Sequence, residues 1–183
     1  MEGRILDAAE ECIRRYGIRR TSLGEVARVG DMSRGSIYRH FSDKDALVQA
    51  VFERLQQAFL NRTETAMEEL PSLVDKVTHA VIMGRKDARE GIYASLAQTE
   101  PETVAMMYLA PDFYERSKAF WPAHIAQAQA RGEISEEVPV PVATDLVMRL
   151  TVSLVLFPDM GAEMKSPRRL RDYLQRVLAG GLR

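Results

Sequence analysis

The sequence has a single cysteine in 183 residues, Cys12, which rules out an internal disulfide and a cysteine metal cluster. Its helical neighbours Ala8, Ala9 and Tyr16 predict a buried, inert thiol rather than a nucleophile. Long apolar runs are also missing. The longest, LTVSLVLF over 150–157, falls far short of the roughly 20 residues that span a bilayer. The start, MEGRILDAAE, carries acids where a signal peptide needs an apolar core, so a cytoplasmic chain is expected. Charge of one sign is lacking too. With 25 Lys and Arg against 26 Asp and Glu, the formal net charge is −1, and any attraction for nucleic acid must come from a local patch. Strand signals are scarce: the one doubtful run, EISEEVPVPV, holds prolines that argue for a loop. No nucleophile stands with a base, no phosphate loop is present, and His79 and His124 have no companion at metal-ligand spacing. Neither an enzyme nor a cofactor or metal is expected.

What is present is helix after helix. Ile5, Ala8, Ala9, Cys12, Ile13 and Tyr16 recur on one face, and Gly17 ends that first helix. Ser22 followed by Glu25 is a capping box that opens a second helix, burying Leu23, Val26 and Ala27. After the turn GDM, Ser33 caps a third helix reaching about Phe41, and Ser42 caps a fourth with Asp43 and Asp45 at its positive end. Leu47, Val51, Leu55, Phe59 and Met67 carry that fourth helix toward Pro71, long enough to leave a small head and enter a second body. Further helices are expected over 72–86, 90–98, 103–131, 141–157 and 167–179. The fold class is therefore all-α: a three-helix head over 1–46, joined by the long fourth helix to a helical body over 47–183.

The stretch SRGSIYRHFSDKDAL, residues 33–47, is shaped for contact with something outside the chain. Helix, tight turn and capped short helix are the grammar of helix-turn-helix motifs, whose second helix enters the DNA major groove N-terminus first. That places Arg34, Gly35 and Ser36 at the bases, with the arginine fork suited to guanine. Gly35 lets the backbone come close, and Ile37 and Phe41 pack inward. Tyr38, Arg39, His40 and Lys44 are suited to phosphates, and the free N–H groups near Thr21 and Ser22 offer a further phosphate site. Charge agrees: between Arg14 and Arg39 lie seven arginines against Glu25 and Asp31 alone.

TSLGEVARVGDMSRGSIYRHFSDKDALVQAVF, preceded by a helix ending in RYG, resembles the DNA-binding domain of TetR-family transcriptional regulators over about residues 4–53. The resemblance implies three helices, a fourth linking to a variable helical ligand and dimer domain, and a double-stranded DNA operator. It implies phosphate contacts at Thr21 and Ser22, base contacts at Arg34, Gly35 and Ser36, and backbone contacts at Tyr38, His40 and Lys44. One departure stands out: the family usually has glycine where this chain has Asp31, with Gly30 one place earlier. Aspartate tolerates a left-handed backbone better than most residues, so the turn is expected to survive.

Such regulators usually repress until a small-molecule effector shifts the reading heads. Met83, Tyr93, Met106, Phe113, Phe120 and Trp121 are candidates for an apolar pocket, although the same spacing serves a plain core. Arg149 interrupts an apolar helix, and it either anchors an acidic ligand or binds Asp145 four residues back, the second being preferred. Leu146, Leu150 and Leu154, with Tyr173, Leu174, Val177 and Leu178, form stripes expected to build a homodimer. The reading is a ligand-responsive regulator on a palindromic operator, most simply a repressor. An activator, a ligand-independent regulator and a small helical enzyme are the alternatives.

Overall fold

Every regular element is a helix in the computed structural model, which describes residues 1–157, 164 and 166–180. The helices are α1 (Glu2–Arg20), α2 (Leu23–Val29), α3 (Arg34–Tyr38), α4 (Lys44–Met67), α5 (Leu73–Asp87) and α6 (Gly91–Thr99). There follow α7 (Pro101–Leu109), α8 (Pro111–Lys118), α9 (Pro122–Ala130), α10 (Val140–Leu156) and α11 (Pro167–Leu174), the last continuing as a π-helical turn over Gln175–Ala179. The single helix expected over 103–131 is instead three. Proline lacks an N–H and clashes with the preceding turn, so Pro111 and Pro122 each open a new helix rather than sit inside one. A second correction concerns the start of α4. The Asp43 carboxylate accepts the Ala46 N–H at 2.8 Å and is the cap, while Ser42 donates its hydroxyl to Asp43.

Packing sorts the chain into two compact units, Met1–Phe59 with Arg89–Phe113, and Leu60–Ala88 with Tyr114–Arg183. The long helix α4 runs from the first into the second. In the first unit Ile5, Ala9, Cys12 and Ile13 of α1 are fully buried against Val26, Ile37, Leu47 and Val51. Cys12 is buried as expected, and burial pushes its thiol up from the ordinary range. The same core takes in Ile92, Tyr93 and Leu96 of α6, which lies against α1.

The second unit closes around Val77, Val81, Trp121, Ile125, Val147 and Leu170. Leu154, Leu174 and Leu178, expected at a dimer interface, belong to this core. Leu146, Leu150, Tyr173 and Val177 are half-buried. His124 is held at both ring nitrogens, Nδ1 lying 3.2 Å from Lys76 Nζ and Nε2 2.9 Å from Glu64 Oε2. An ammonium has no acceptor, so Nδ1 accepts and the ring proton sits on Nε2.

Asp75 ties α5 to α11. Burial raises its carboxyl pKa, but hydrogen bonds from Arg171 Nε, at 2.7 Å, and from Ser72 outweigh this and hold it below the ordinary carboxylate range. A depressed folded value stabilises the chain above the unfolded value and is lost as pH falls through the folded one. Asp75→Asn is therefore expected to cost about 0.5–1.5 kcal/mol near neutral pH. In urea titrations across pH, that deficit should shrink on acidification below about pH 4.

Candidate nucleic-acid interface

The site is built by caps. Ser22 accepts the Glu25 N–H at 3.2 Å and starts α2, whose Leu23, Val26 and Ala27 are buried. The reciprocal arm of the expected capping box is not made, because the Glu25 carboxylate pairs with Arg28 at 2.6 Å. At the other end of α2, Met32 N donates to Ala27 O at 2.9 Å and Asp31 N to Arg28 O at 3.4 Å, the paired bonds of a Schellman ending. That ending puts its next residue in the left-handed region, and Asp31 takes it with φ 48°. Gly30 serves packing instead: a Cβ there would stand 3.0 Å from that of Ala8 and closer still to Met32 Cε.

An L-residue in the left-handed region costs about 1–2 kcal/mol, somewhat less for aspartate. Asp31→Gly is expected to leave stability equal or raise it by up to about 1 kcal/mol, glycine's looser unfolded chain offsetting part of the gain. It should also tighten DNA binding, more at low salt than at high, by removing a negative charge beside α3. Affinity unchanged at both salts would place Asp31 away from the DNA.

Ser33 then starts α3 by accepting the Ser36 N–H at 3.1 Å, and Ile37, fully buried, pins the helix down. This leaves Arg34, Gly35 and Tyr38 exposed on α3, and Arg39 and His40 exposed just past its end, which falls at Tyr38 rather than near Phe41. Tyr38 is 58% exposed, so its ring is not a core residue. Ser36 is more occupied than expected, its hydroxyl lying 2.9 Å from Ser33 Oγ and accepting from Arg39 Nη2 at 3.1 Å. Gly35 is neither in a left-handed conformation nor crowded. A Cβ there would meet only Ser33 Oγ, at 3.9 Å.

The residues expected at phosphates divide. Ser22 and His40 are exposed. Thr21 is buried, its hydroxyl donating to Gly17 O at 2.8 Å and its N–H to Ile18 O at 3.1 Å, so its side chain braces the α1–α2 junction. Lys44 donates to Arg19 O at 3.1 Å across the same junction and is half-buried, with two of its three ammonium protons left for other acceptors.

The basic patch is narrower than a count along the sequence implied. Arg14 and Arg15 pair with Glu11, Arg19 with Glu100 and Glu102, and Arg28 with Glu25. Arg20, Arg34 and Arg39 form no ion pair among the described residues, and Arg34 and Arg39 lie at the two ends of α3. Glu11 lies just outside the stretch that was counted, and Glu100 and Glu102 lie some 80 residues away.

Glu100 is the residue that sequence reasoning missed. Its carboxylate is buried and accepts the Arg19 N–H at 3.0 Å, closing the end of α1 just past Gly17. Nothing near Glu100 in sequence points to a partner 81 positions away.

The expected pocket residues are not gathered in one unit. Tyr93, Met106 and Phe113 belong to the first, Met83, Phe120, Trp121 and Arg149 to the second. Tyr93 and Trp121 sit in the two cores, and Met106 is 67% exposed. Arg149 is exposed and bound to Asp145 Oδ2 at 2.6 Å, the structural one of its two expected uses. The second unit does hold cavities elsewhere. One of about 220 Å³ is lined by Leu73, Ile134 and Leu178, and a cleft of about 340 Å³ by Arg169, Tyr173 and Arg176. No group of His, Cys, Asp and Glu among the described residues could hold a metal ion, and no helix there is long and apolar enough to cross a membrane.

Comparison with known proteins finds matches along the whole chain. Residues 5–51 match the family model described as bacterial regulatory proteins, tetR family. The HTH-type transcriptional regulator UidR of Escherichia coli strain K12 is 26% identical, over 96% of this chain and 91% of that protein. Among solved structures, Salmonella enterica GusR is 27% identical with a TM-score of 0.63, covering 97% of this chain and 94% of its own. FadR of Bacillus subtilis, solved in complex with stearoyl-CoA, shares the fold at 16% identity and a TM-score of 0.67, with full coverage of both chains.

Proposed function

We propose that the chain, whose residues 5–51 match the tetR family of bacterial regulatory proteins, is a DNA-binding transcriptional regulator that represses transcription as a homodimer on a palindromic operator and is released by a small-molecule effector. The observation that carries the DNA half is the outer side of α3. Ser33 and Ile37 hold that helix in place, while Arg34, Gly35 and Tyr38 project with no internal task that explains them. Arg34 reads base edges through its fork, and Tyr38, Arg39, His40 and Lys44 hold the backbone on either side. Residues 1–46 are the reading head in this proposal, and 47–183 carry effector and dimer contacts in the cytoplasm.

Dimerisation follows from the size of the reader. A helix of five residues reaches few bases, whereas two related by a twofold axis grip half-sites one helical turn apart, about 34–36 Å. Leu146, Leu150, Tyr173 and Val177, half-buried in the isolated chain, are the side chains left for that contact. The effector must bind one spacing of the heads better than the other, since a ligand with equal affinity for both shifts nothing. The stearoyl-CoA held by FadR, a protein of the same fold, supports a helical body able to take an apolar effector.

The test is Arg34→Ala, measured against the operator that the parent chain selects and its single-position variants. Binding should weaken by about 1–3 kcal/mol, with preference relaxed at one position of each half-site. Retained preference at every position would overturn the assignment of Arg34.

A further inference from the structure

Gly24 is the second residue of α2 and has no conformational reason to be glycine. Its backbone is ordinary right-handed helix, where glycine costs up to about 1 kcal/mol relative to alanine. The space left by the missing side chain is filled from another helix. A Cβ at position 24 would stand 2.7 Å from Arg34 Nη2, 3.1 Å from Arg34 Cζ and 3.2 Å from Arg34 Nε. Those three atoms belong to one guanidinium plane, so the head of Arg34 lies against the bare backbone of α2. Glu25, the acid next to Gly24 in sequence, is taken by Arg28, and Arg34 makes no ion pair among the described residues, Asp31 three positions before it included. The guanidinium of an otherwise exposed arginine thus rests beside Gly24.

We propose that Gly24 is a specificity-determining positioning residue: its missing side chain forms a seat that pre-orients the Arg34 guanidinium for base reading. The inference rests on the base-reading role of Arg34 given above. An arginine free in solvent carries about 2 kcal/mol of rotamer entropy that must be lost on binding, and a seat removes part of that loss beforehand. Bidentate recognition of a base edge also depends on where the fork stands and how it is tilted. Any side chain at position 24 pushes the fork to a new place. The fold itself need not suffer, because what yields is the far end of a flexible side chain rather than backbone.

The experiment compares the full-length parent, Gly24→Ala, Arg34→Ala and the double variant on DNA selected from a random duplex library. Gly24→Ala should keep or raise thermal stability, alanine being the better helix former. It should keep the slope of affinity against salt, since phosphate contacts are untouched. Its affinity for the parent's operator should fall about tenfold, and its preference should change at the position that Arg34→Ala relaxes. The double variant should bind as Arg34→Ala alone does, because one pathway has then been removed twice. In the free protein, ¹⁵N relaxation of the Arg34 Nε–H should show faster motion in Gly24→Ala.

A Gly24→Ala chain that keeps the parent's affinity and base preference overturns the seat while leaving Arg34 as the reader. So does additivity of the two substitutions. An Arg34→Ala chain with unchanged base preference overturns the reading role itself, and the seat with it.

Discussion

Gly17→Ala is expected to destabilise the chain by about 2–4 kcal/mol, seen in urea denaturation as a lower midpoint at an unchanged slope. Two independent costs add up to that figure. Gly17 has φ 78° and ψ 171°, a region essentially reserved for glycine, where another residue carries about 1–3 kcal/mol of strain. The new Cβ would also fall within contact distance of Glu100 Oε1, whose carboxylate is the acceptor of the Arg19 N–H. Moving Glu100 aside strands that N–H and leaves a buried carboxylate short of a donor, for about 1 kcal/mol or more. The effect should spread to DNA binding, because Gly17 O accepts the Thr21 hydroxyl and Arg19 O accepts Lys44 at the junction that aims α2 and α3. A loss under about 0.5 kcal/mol, the range of ordinary surface substitutions, would mean that this junction is not built as described.

Gly35→Ala is expected to act in opposite directions on the free chain and on its complex. Alanine is the better helix former by up to about 1 kcal/mol, and a Cβ at position 35 meets nothing nearer than Ser33 Oγ at 3.9 Å. Stability should therefore rise or stay level. Operator affinity should fall about tenfold or more, because a methyl group is set between α3 and the floor of the groove. Few substitutions separate the two roles so cleanly: a packing glycine loses stability on replacement, and a solvent-facing one with no partner loses nothing. A parallel thermal melt and anisotropy titration decides. Unchanged affinity at raised stability would put the base-reading surface elsewhere than on α3.

What could be read from the sequence was what lies within one helical turn. The apolar face of α1, the caps Ser22 and Ser33, the left-handed turn at Asp31 and the inward Ile37 all depend on neighbours three to five positions away, and all stand in the structure as expected, except that Tyr16, counted on the face of α1, is exposed. Even there, the cap of α4 moved by one residue, because a carboxylate at position 43 outcompetes the hydroxyl before it. Pro111 and Pro122 were local signals too, and a helix drawn across both ignored what a missing N–H does.

The rest depended on partners distant in sequence. That α6 would pack on α1, and that Glu100 would reach the end of α1, follows from which apolar faces find each other, and no pattern inside either segment says so. The basic patch was overcounted only partly for that reason: a sum along the chain cannot see the acids that folding brings to Arg19, whereas Glu11 and Glu25, which pair with Arg14, Arg15 and Arg28, lie within one helical turn of them. Leu154, Leu174 and Leu178 look alike in sequence whether they face a partner or their own core, because the stripe records burial and not what does the burying. Gly24 was legible in part. A glycine inside a capped helix asks for a reason, and only the position of Arg34 supplies it.

The most direct test of the central claim is selection of bound duplexes from a random DNA library by the full-length chain, carried out at two salt concentrations. Enrichment of one palindrome at both, with half-sites about one helical turn apart, is the predicted result. Binding that weakens with salt and favours no sequence would leave a basic patch on a helical protein and contradict the regulator described above.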